Sequence, residues 1–147
     1  MNKELFVNDQ ITLNANAATV WDALINPDLT QKYMYGISIH SDWKVGSPVL
    51  WIMTIDGNEL VIVKGDVIQI EPEKYLEYTV FDPNMGIEDK ASNYLTVTYE
   101  LSYADSKTTL SVTQGDFAKV ENTLARYDDT VRGWGHALKG IKEIVEQ

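Results

Sequence analysis

An apolar stripe near the C-terminal end of the chain is the feature that most constrains its fold. Apolar residues recur there with gaps of four and three, which is the spacing of one face of an α-helix. The stripe is about seven helical turns long and comprises Val120, Leu124, Tyr127, Val131, Trp134, Leu138, Ile141 and Val145. We therefore predict one helix from about Val120 to Glu146, and this helix needs a large apolar surface to cover its stripe.

The preceding residues supply that surface as strands. The first strand alternates apolar Val7, Ile11 and Leu13 with polar residues, and two short helices follow, the first capped by Asn16 and ended by Pro27. Five or six further strands come next, two of them joined by the hairpin signal "DGN" at positions 56–58. A single curved antiparallel sheet wrapped around the terminal helix would cover the stripe, which makes this an α+β fold.

Small residues flank the stripe beside its tryptophan. Gly133, Ala137 and Gly140 lie along one side of Trp134, and each glycine costs a helix interior about 1 kcal/mol relative to alanine. The helix therefore either approaches a neighbour closely there or leaves space there. Gly135 lies toward the other side and fits neither explanation.

Composition excludes several classes of function. The 147 residues and 44% hydrophobic content predict a single domain spanning residues 1–147. A net charge of −10 disfavours nucleic acid and anionic membrane as partners. Since there is no cysteine and the two histidines, His40 and His136, are not spaced as a site, we expect no metal and no cofactor. The N-terminus lacks the apolar core of a signal peptide and no apolar run is long enough to span a membrane, which predicts a cytoplasmic location.

Several segments, taken in order, resemble the SRPBCC or START-like superfamily. They are "ITLNANAATVWDAL", Gly46, "GDVIQIEPEKYLEY", "TTLSVTQG" and "GWGHALKGIK". Within it, the pair Gly133-Trp134 followed by Leu138 and Lys142 is similar to the heat-shock-protein-90 ATPase activator-like proteins, which are related to polyketide cyclases. The resemblance implies a helix-grip fold with two short helices after the first strand and a cavity between sheet and terminal helix. It does not select one function, because the superfamily hosts lipid binders, hormone receptors, cyclases and chaperone regulators.

Alternation and helix phase predict which side chains would line such a cavity. The candidate ligand-binding residues are Trp51, Met53, Tyr78 and Tyr99 from strands, Tyr127, Thr130, Val131 and Trp134 from the terminal helix, Met34 as part of a lid, and Asp9. Aromatic rings, methionines and a few hydroxyls suit a flat or acyl-type apolar ligand. The alternative for most of these residues is that they fill the core.

Two polar residues continue apolar faces. Asp9 lies on the apolar side of its strand, where it either faces the cavity or sits at an irregular strand end. Gln114 continues the inward phase of Leu110 and Val112, either to hold a ligand carbonyl or as an ordinary edge residue.

Three functions are compatible with this sequence, and we favour non-catalytic binding of a small hydrophobic molecule. No Ser-His-Asp arrangement, phosphate-binding glycine loop or metal-ligand spacing is evident, and catalytic residues are therefore not assigned. The alternatives are a cyclase-like enzyme that uses polar groups of the cavity, and a chaperone-regulating domain with a protein partner.

Overall fold

The computed structural model describes residues 5–84, 86–119 and 123–146. In chain order the elements are β1 (Val7–Leu13), α1 (Ala17–Ile25), α2 (Pro27–Tyr33), β2 (Ser38–Ser41), β3 (Pro48–Ile55), β4 (Asn58–Glu71), β5 (Tyr75–Val80), β6 (Leu95–Ala104), β7 (Lys107–Gly115) and α3 (Thr123–Val145), with 3₁₀ turns at Ala91–Asn93 and Phe117–Lys119. The two short helices follow the first strand, as the sequence predicted.

The strands form one antiparallel sheet in the spatial order β1-β7-β6-β5-β4-β3-β2. The first and seventh strands pair directly, and the remaining strands follow one another back through the chain. The long strand β4 joins the two halves of the sheet, because it pairs with β3 from Asn58 to Asp66 and with β5 from Val67 to Glu71. The sheet curves around α3, and the predicted α+β helix-grip fold is confirmed.

Helix α3 is the long C-terminal helix predicted from the stripe. Trp134, Leu138, Ile141 and Val145 are buried, and Ile141 has no exposed surface at all. Val120, where the helix was predicted to begin, lies outside the described residues. Among the described helices, none is both long and apolar enough to cross a membrane.

Helices α1 and α2 are positioned by their caps and by one tyrosine. The side chain of Asn16 accepts a hydrogen bond from the backbone N–H of Thr19 (2.8 Å) and caps α1 as predicted. Asn26 caps α2 immediately before Pro27, which occupies the first helical turn. The buried hydroxyl of Tyr33 donates to the carbonyl oxygen of Ala23 (2.6 Å), so the end of α2 is tied back to α1.

Two hairpins close through two-residue turns in the left-handed region. Asp56 and Gly57, with φ of 51° and 79°, connect β3 to β4. Asp105 and Ser106, with φ of 53° and 64°, connect β6 to β7. Positive φ at both central residues is the pattern of a type I′ turn, whose twist matches that of antiparallel strands.

Candidate functional site

A cavity of about 380 Å³ lies between the concave face of the sheet and the middle of α3. The helix contributes Trp134, Gly133 and Thr130, and the sheet contributes apolar residues from the inward faces of several strands. These sheet residues are Trp51, Ile62, Val63, Tyr78, Val80, Leu95 and Val97. The predominantly apolar wall suits an apolar small molecule.

A β-bulge brings two adjacent β4 side chains to the cavity. Trp51 of β3 pairs with Val63, whereas the next residue, Ile52, pairs with Val61, so that Ile62 is the extra residue of β4. Ile62 and Val63 both line the cavity beside Trp51. In a regular strand neighbouring side chains point to opposite faces, so the bulge adds apolar surface to the cavity wall.

Trp134 connects α3 to the sheet through its ring and its N–H group. Its ring meets Tyr99 edge-to-face, with centroids 5.7 Å apart and an interplanar angle of 84°. The indole Nε1 donates a hydrogen bond to Oε1 of Gln114 on β7 (2.8 Å). One turn earlier on α3, the hydroxyl of Thr130 donates to the backbone carbonyl of Arg126 (2.7 Å).

The inner tyrosines are held in their neutral form. Burial raises the pKa of Tyr78 to about 12, although hydrogen bonding with Tyr99 and Trp51 partly opposes the shift. Burial, reinforced by the charge interaction with Tyr78, also raises the pKa of Tyr99 well above its ordinary value. The two hydroxyl oxygens are 3.4 Å apart, a long separation for a hydrogen bond between hydroxyls. Near neutral pH both phenols therefore stay protonated.

The cavity mouth is bounded on one side by the segment after α2. Met34 and Tyr35 line it, and Tyr35 is 67% exposed with a left-handed φ of 56°. The ring of Tyr35 stacks on His136 of α3, with centroids 4.8 Å apart and planes 13° from parallel. This stack ties the segment to the helix at the mouth.

The connection from β5 to β6 bounds the other side of the mouth. Phe81 and Asp82 line the cavity there. Asp89 accepts hydrogen bonds from Lys64 on β4 and from the hydroxyl of Tyr94, so the connection is fastened to the sheet. Hydrogen bonding with Lys64 is the main reason that the pKa of Asp89 falls below its ordinary value.

Half of the predicted ligand-binding residues line this cavity. They are Met34, Trp51, Tyr78, Thr130 and Trp134. Tyr99 lies behind Trp134 in the core, and Tyr127 is half-buried against Phe117, with ring centroids 5.7 Å apart. Met53 lies farther along β3 toward the hairpin turn and does not line the cavity. Their role in ligand binding stays a prediction.

Two of the candidate ligand-binding residues are exposed. Asp9 is exposed, and its carboxylate accepts a hydrogen bond from the backbone N–H of Gln10 (2.9 Å). Asp9 lies on β1, which is an edge strand of the sheet. At an edge a side chain can reach solvent even where other residues on the same face of the strand are covered. Val131 is 43% exposed, because two residues turn a helix by about 200° and place it nearly opposite the cavity-lining Gly133.

The histidines lie in different places. His136 stacks on Tyr35 at the cavity mouth, whereas His40 is exposed on β2 with its Nε2 atom 2.8 Å from the hydroxyl of Ser38. Within the described part of the chain, no cluster of three or more histidine or acidic side chains is placed to hold a metal ion.

Comparison with known proteins identifies the family. The model of the family described as "Activator of Hsp90 ATPase homolog 1-like protein" matches residues 14–146. The chain belongs to this family. The resemblance to Hsp90 ATPase activator-like proteins in the sequence is therefore confirmed. A search of curated proteins finds no significant match to the chain.

Solved structures share the fold of this Hsp90 ATPase activator-like chain. The solution structure of ChR145 from Cytophaga hutchinsonii is 29% identical, with a TM-score of 0.79 over 99% of this chain and 97% of that one. The Aha1 dimer from Colwellia psychrerythraea is 16% identical, with a TM-score of 0.72 over 97% and 96% of the two chains. DynU16, from the dynemicin biosynthetic locus, is 16% identical, with a TM-score of 0.75 over 99% of this chain and 48% of that one. At 16% identity the last two establish a common fold and nothing more.

Proposed function

We propose that this chain binds a small hydrophobic molecule in the cavity between the sheet and α3 and does not transform it. The observation that carries the proposal is the cavity itself, which has a volume of about 380 Å³ and is walled mainly by aromatic and aliphatic side chains. Binding pockets for small molecules are typically about 300–1,000 Å³ and mostly apolar. The cavity is therefore large enough for a ligand of two or three rings.

The polar groups around the cavity support binding without catalysis. General base catalysis needs a titratable group that is free to accept a proton from the substrate. Each of the two carboxylates in the described lining accepts a hydrogen bond, Asp82 from the backbone N–H of Asn84 and Asp129 from Arg132, and Asp129 is exposed to solvent. Tyr78 is kept protonated by burial. A cyclase-like reaction in the same cavity is the alternative, in which one of these carboxylates would accept a proton from the substrate or Tyr78 would donate one.

The experiment compares two leucine substitutions in α3. Gly133 lines the cavity and Gly135 does not, and a Cβ atom added at either position meets no atom within 4 Å. We expect Gly133→Leu to weaken binding of the neutral fluorescent dye N-phenylnaphthylamine by about tenfold or more, because its side chain would occupy the cavity. Gly135→Leu makes the same change in helix propensity and should leave dye binding unchanged.

Equal affinity of the two variants for the dye would contradict the proposal. The same holds if the dye does not bind the wild-type chain. Native mass spectrometry of the protein released from cells is an independent measurement that would show which molecule, if any, the chain carries.

A protein partner is the second candidate function, and the family match favours it. The family description names activation of the Hsp90 ATPase, and that property belongs to the protein after which the family is named. An Hsp90 ATPase rate that rises on addition of this chain, and that rises equally with Gly133→Leu, would favour the protein-binding function over the cavity.

A further inference from the structure

We propose that the cavity selects apolar molecules that carry a carbonyl oxygen, and that the side-chain amide of Gln114 donates the hydrogen bond that recognises this oxygen. The inference rests on the proposed ligand-binding function and specifies the chemistry of its ligand.

Gln114 is a polar side chain in an apolar row of the sheet. On β7 it pairs with Val97 of β6 on one side and with Val7 of β1 on the other. Both valines are buried, with 2% and 4% of their surface exposed. Gln114 itself lines the cavity. A polar group in such a row lowers stability unless its hydrogen-bonding groups are satisfied.

Trp134 fixes the orientation of the Gln114 amide. The oxygen and nitrogen of a glutamine amide are assigned from their hydrogen-bond partners, and an indole N–H can only donate. The amide atom that lies 2.8 Å from Nε1 of Trp134 is therefore the oxygen, Oε1. The two N–H groups of Nε2 must then point elsewhere.

The amide nitrogen has no acceptor among the described residues. With the described residues, the Gln114 side chain makes one hydrogen bond, which it accepts from Trp134. No side-chain nitrogen or oxygen that is buried in the described part of the chain lacks a partner, so Nε2 must lie against accessible space. Because Gln114 is among the residues that line the cavity, a ligand held there would lie next to its side chain.

Two of the other donors in the cavity lining are already used by neighbouring groups. The hydroxyl proton of Thr130 is used on the carbonyl of Arg126, and the N–H of Trp134 is used on Gln114 itself. A donor that a bound ligand covers, and that only an acceptor on the ligand can then satisfy, discriminates against an otherwise identical ligand without the acceptor. A carbonyl oxygen is the acceptor that an amide N–H meets throughout proteins.

The test uses two probes of nearly the same shape, benzophenone and diphenylmethane, which differ by the carbonyl oxygen. Calorimetric titration gives the ratio of their dissociation constants for the wild-type chain and for Gln114→Glu, which retains the acceptor for the N–H of Trp134 and removes the amide donor. We expect the substitution to weaken the binding of benzophenone relative to that of diphenylmethane by about three- to tenfold, which is the range for one hydrogen bond. Binding of diphenylmethane should remain measurable, which also shows that the variant is folded.

A nuclear magnetic resonance measurement on the wild-type chain tests the same contact without a substitution. Benzophenone should shift the side-chain N–H₂ resonances of Gln114 downfield, whereas diphenylmethane should not. An unchanged probe ratio, or equal shifts with both probes, overturns this inference and leaves the proposed function intact. Failure of both probes to bind the wild-type chain overturns the inference and the proposed function together.

Discussion

At the residue scale, the three glycines of α3 lie in three different surroundings. Gly133 faces the cavity and Gly135 faces away from it, and an added Cβ would meet nothing at either position. At Gly140 an added Cβ would lie 2.4 Å from Cβ of Tyr33. The two explanations for small residues beside Trp134, open space and close approach, therefore both apply, each to a different glycine.

Alanine substitutions should separate these surroundings. We expect Gly140→Ala to lower the free energy of unfolding by about 1–3 kcal/mol, because Tyr33 would have to move at its backbone end. The hydroxyl of Tyr33 is bonded to Ala23, which restrains that movement. Urea unfolding followed by circular dichroism measures the change.

The matched variants are Gly133→Ala and Gly135→Ala. Both should raise the free energy of unfolding by about 0.4–1 kcal/mol, since alanine fits the helical backbone without a clash. If Gly140→Ala stabilises the chain as much as these two do, α2 does not approach α3 as closely as the structure has it.

At the element scale, the hairpin turns offer a matched pair of substitutions. Ser106 and Gly57 both occupy the second central position of a two-residue turn, with φ of 64° and 79°. A side chain at such a φ is strained and glycine is not. We expect Ser106→Gly to stabilise the chain by about 0.5–1 kcal/mol and Gly57→Ala to destabilise it by about 1 kcal/mol or more.

Thermal unfolding of both variants measures these opposite effects. The substitutions lie at exposed turns away from the cavity, so binding of the hydrophobic dye should not change. A lower melting temperature for Ser106→Gly would mean that its turn does not hold the left-handed conformation.

Most elements could be predicted from local pattern, and the departures have physical causes. The segment "KTTLSVTQG" is β7 from Lys107 to Gly115, because it is bounded by a turn and alternates regularly. The inward position of both Ile62 and Val63 could not be predicted from the sequence. The prediction of inward side chains relies on regular alternation, and a bulge, which depends on pairing with another strand, breaks that alternation. Val131 was misplaced because the spacing of apolar residues does not show how wide a strip of α3 the sheet covers.

The same distinction applies to the cavity. Trp134 and Tyr78 could be placed on inward faces from periodicity alone, and both line the cavity. Whether an inward side chain borders the cavity or the filled core depends on packing between distant elements. Tyr99 points inward as predicted and is buried behind Trp134.

At the scale of the whole molecule, buried phenols connect the three helices and the sheet. Tyr33 lies between α1 and α3, Tyr78 lines the cavity, and Tyr99 lies between Tyr78 and Trp134 of α3. Burial raises the pKa of all three phenols, that of Tyr78 to about 12. The folded chain therefore holds protons that an unfolded chain would release near pH 10, the ordinary pKa of tyrosine.

This difference predicts unfolding by alkali. A group whose pKa is higher in the folded state than in the unfolded state contributes its full stability below the unfolded value, and loses it as the pH rises through the folded value. The free energy of unfolding should therefore begin to fall near pH 10 and continue to fall toward pH 12. Tyrosinate absorbance and far-ultraviolet circular dichroism, followed together, should show the buried phenols ionising as the chain unfolds.

Tyr99→Phe is the informative variant, because it removes one buried phenol. The contact that is lost, 3.4 Å to the hydroxyl of Tyr78, is too long to contribute much to stability. With one proton fewer to release on unfolding, its stability should fall less steeply with pH above 10 than that of the wild-type chain. Full ionisation of every tyrosine before any loss of circular dichroism would show that these phenols are accessible to hydroxide in the folded chain. The sheet and α3 would then not enclose them as closely as the structure indicates.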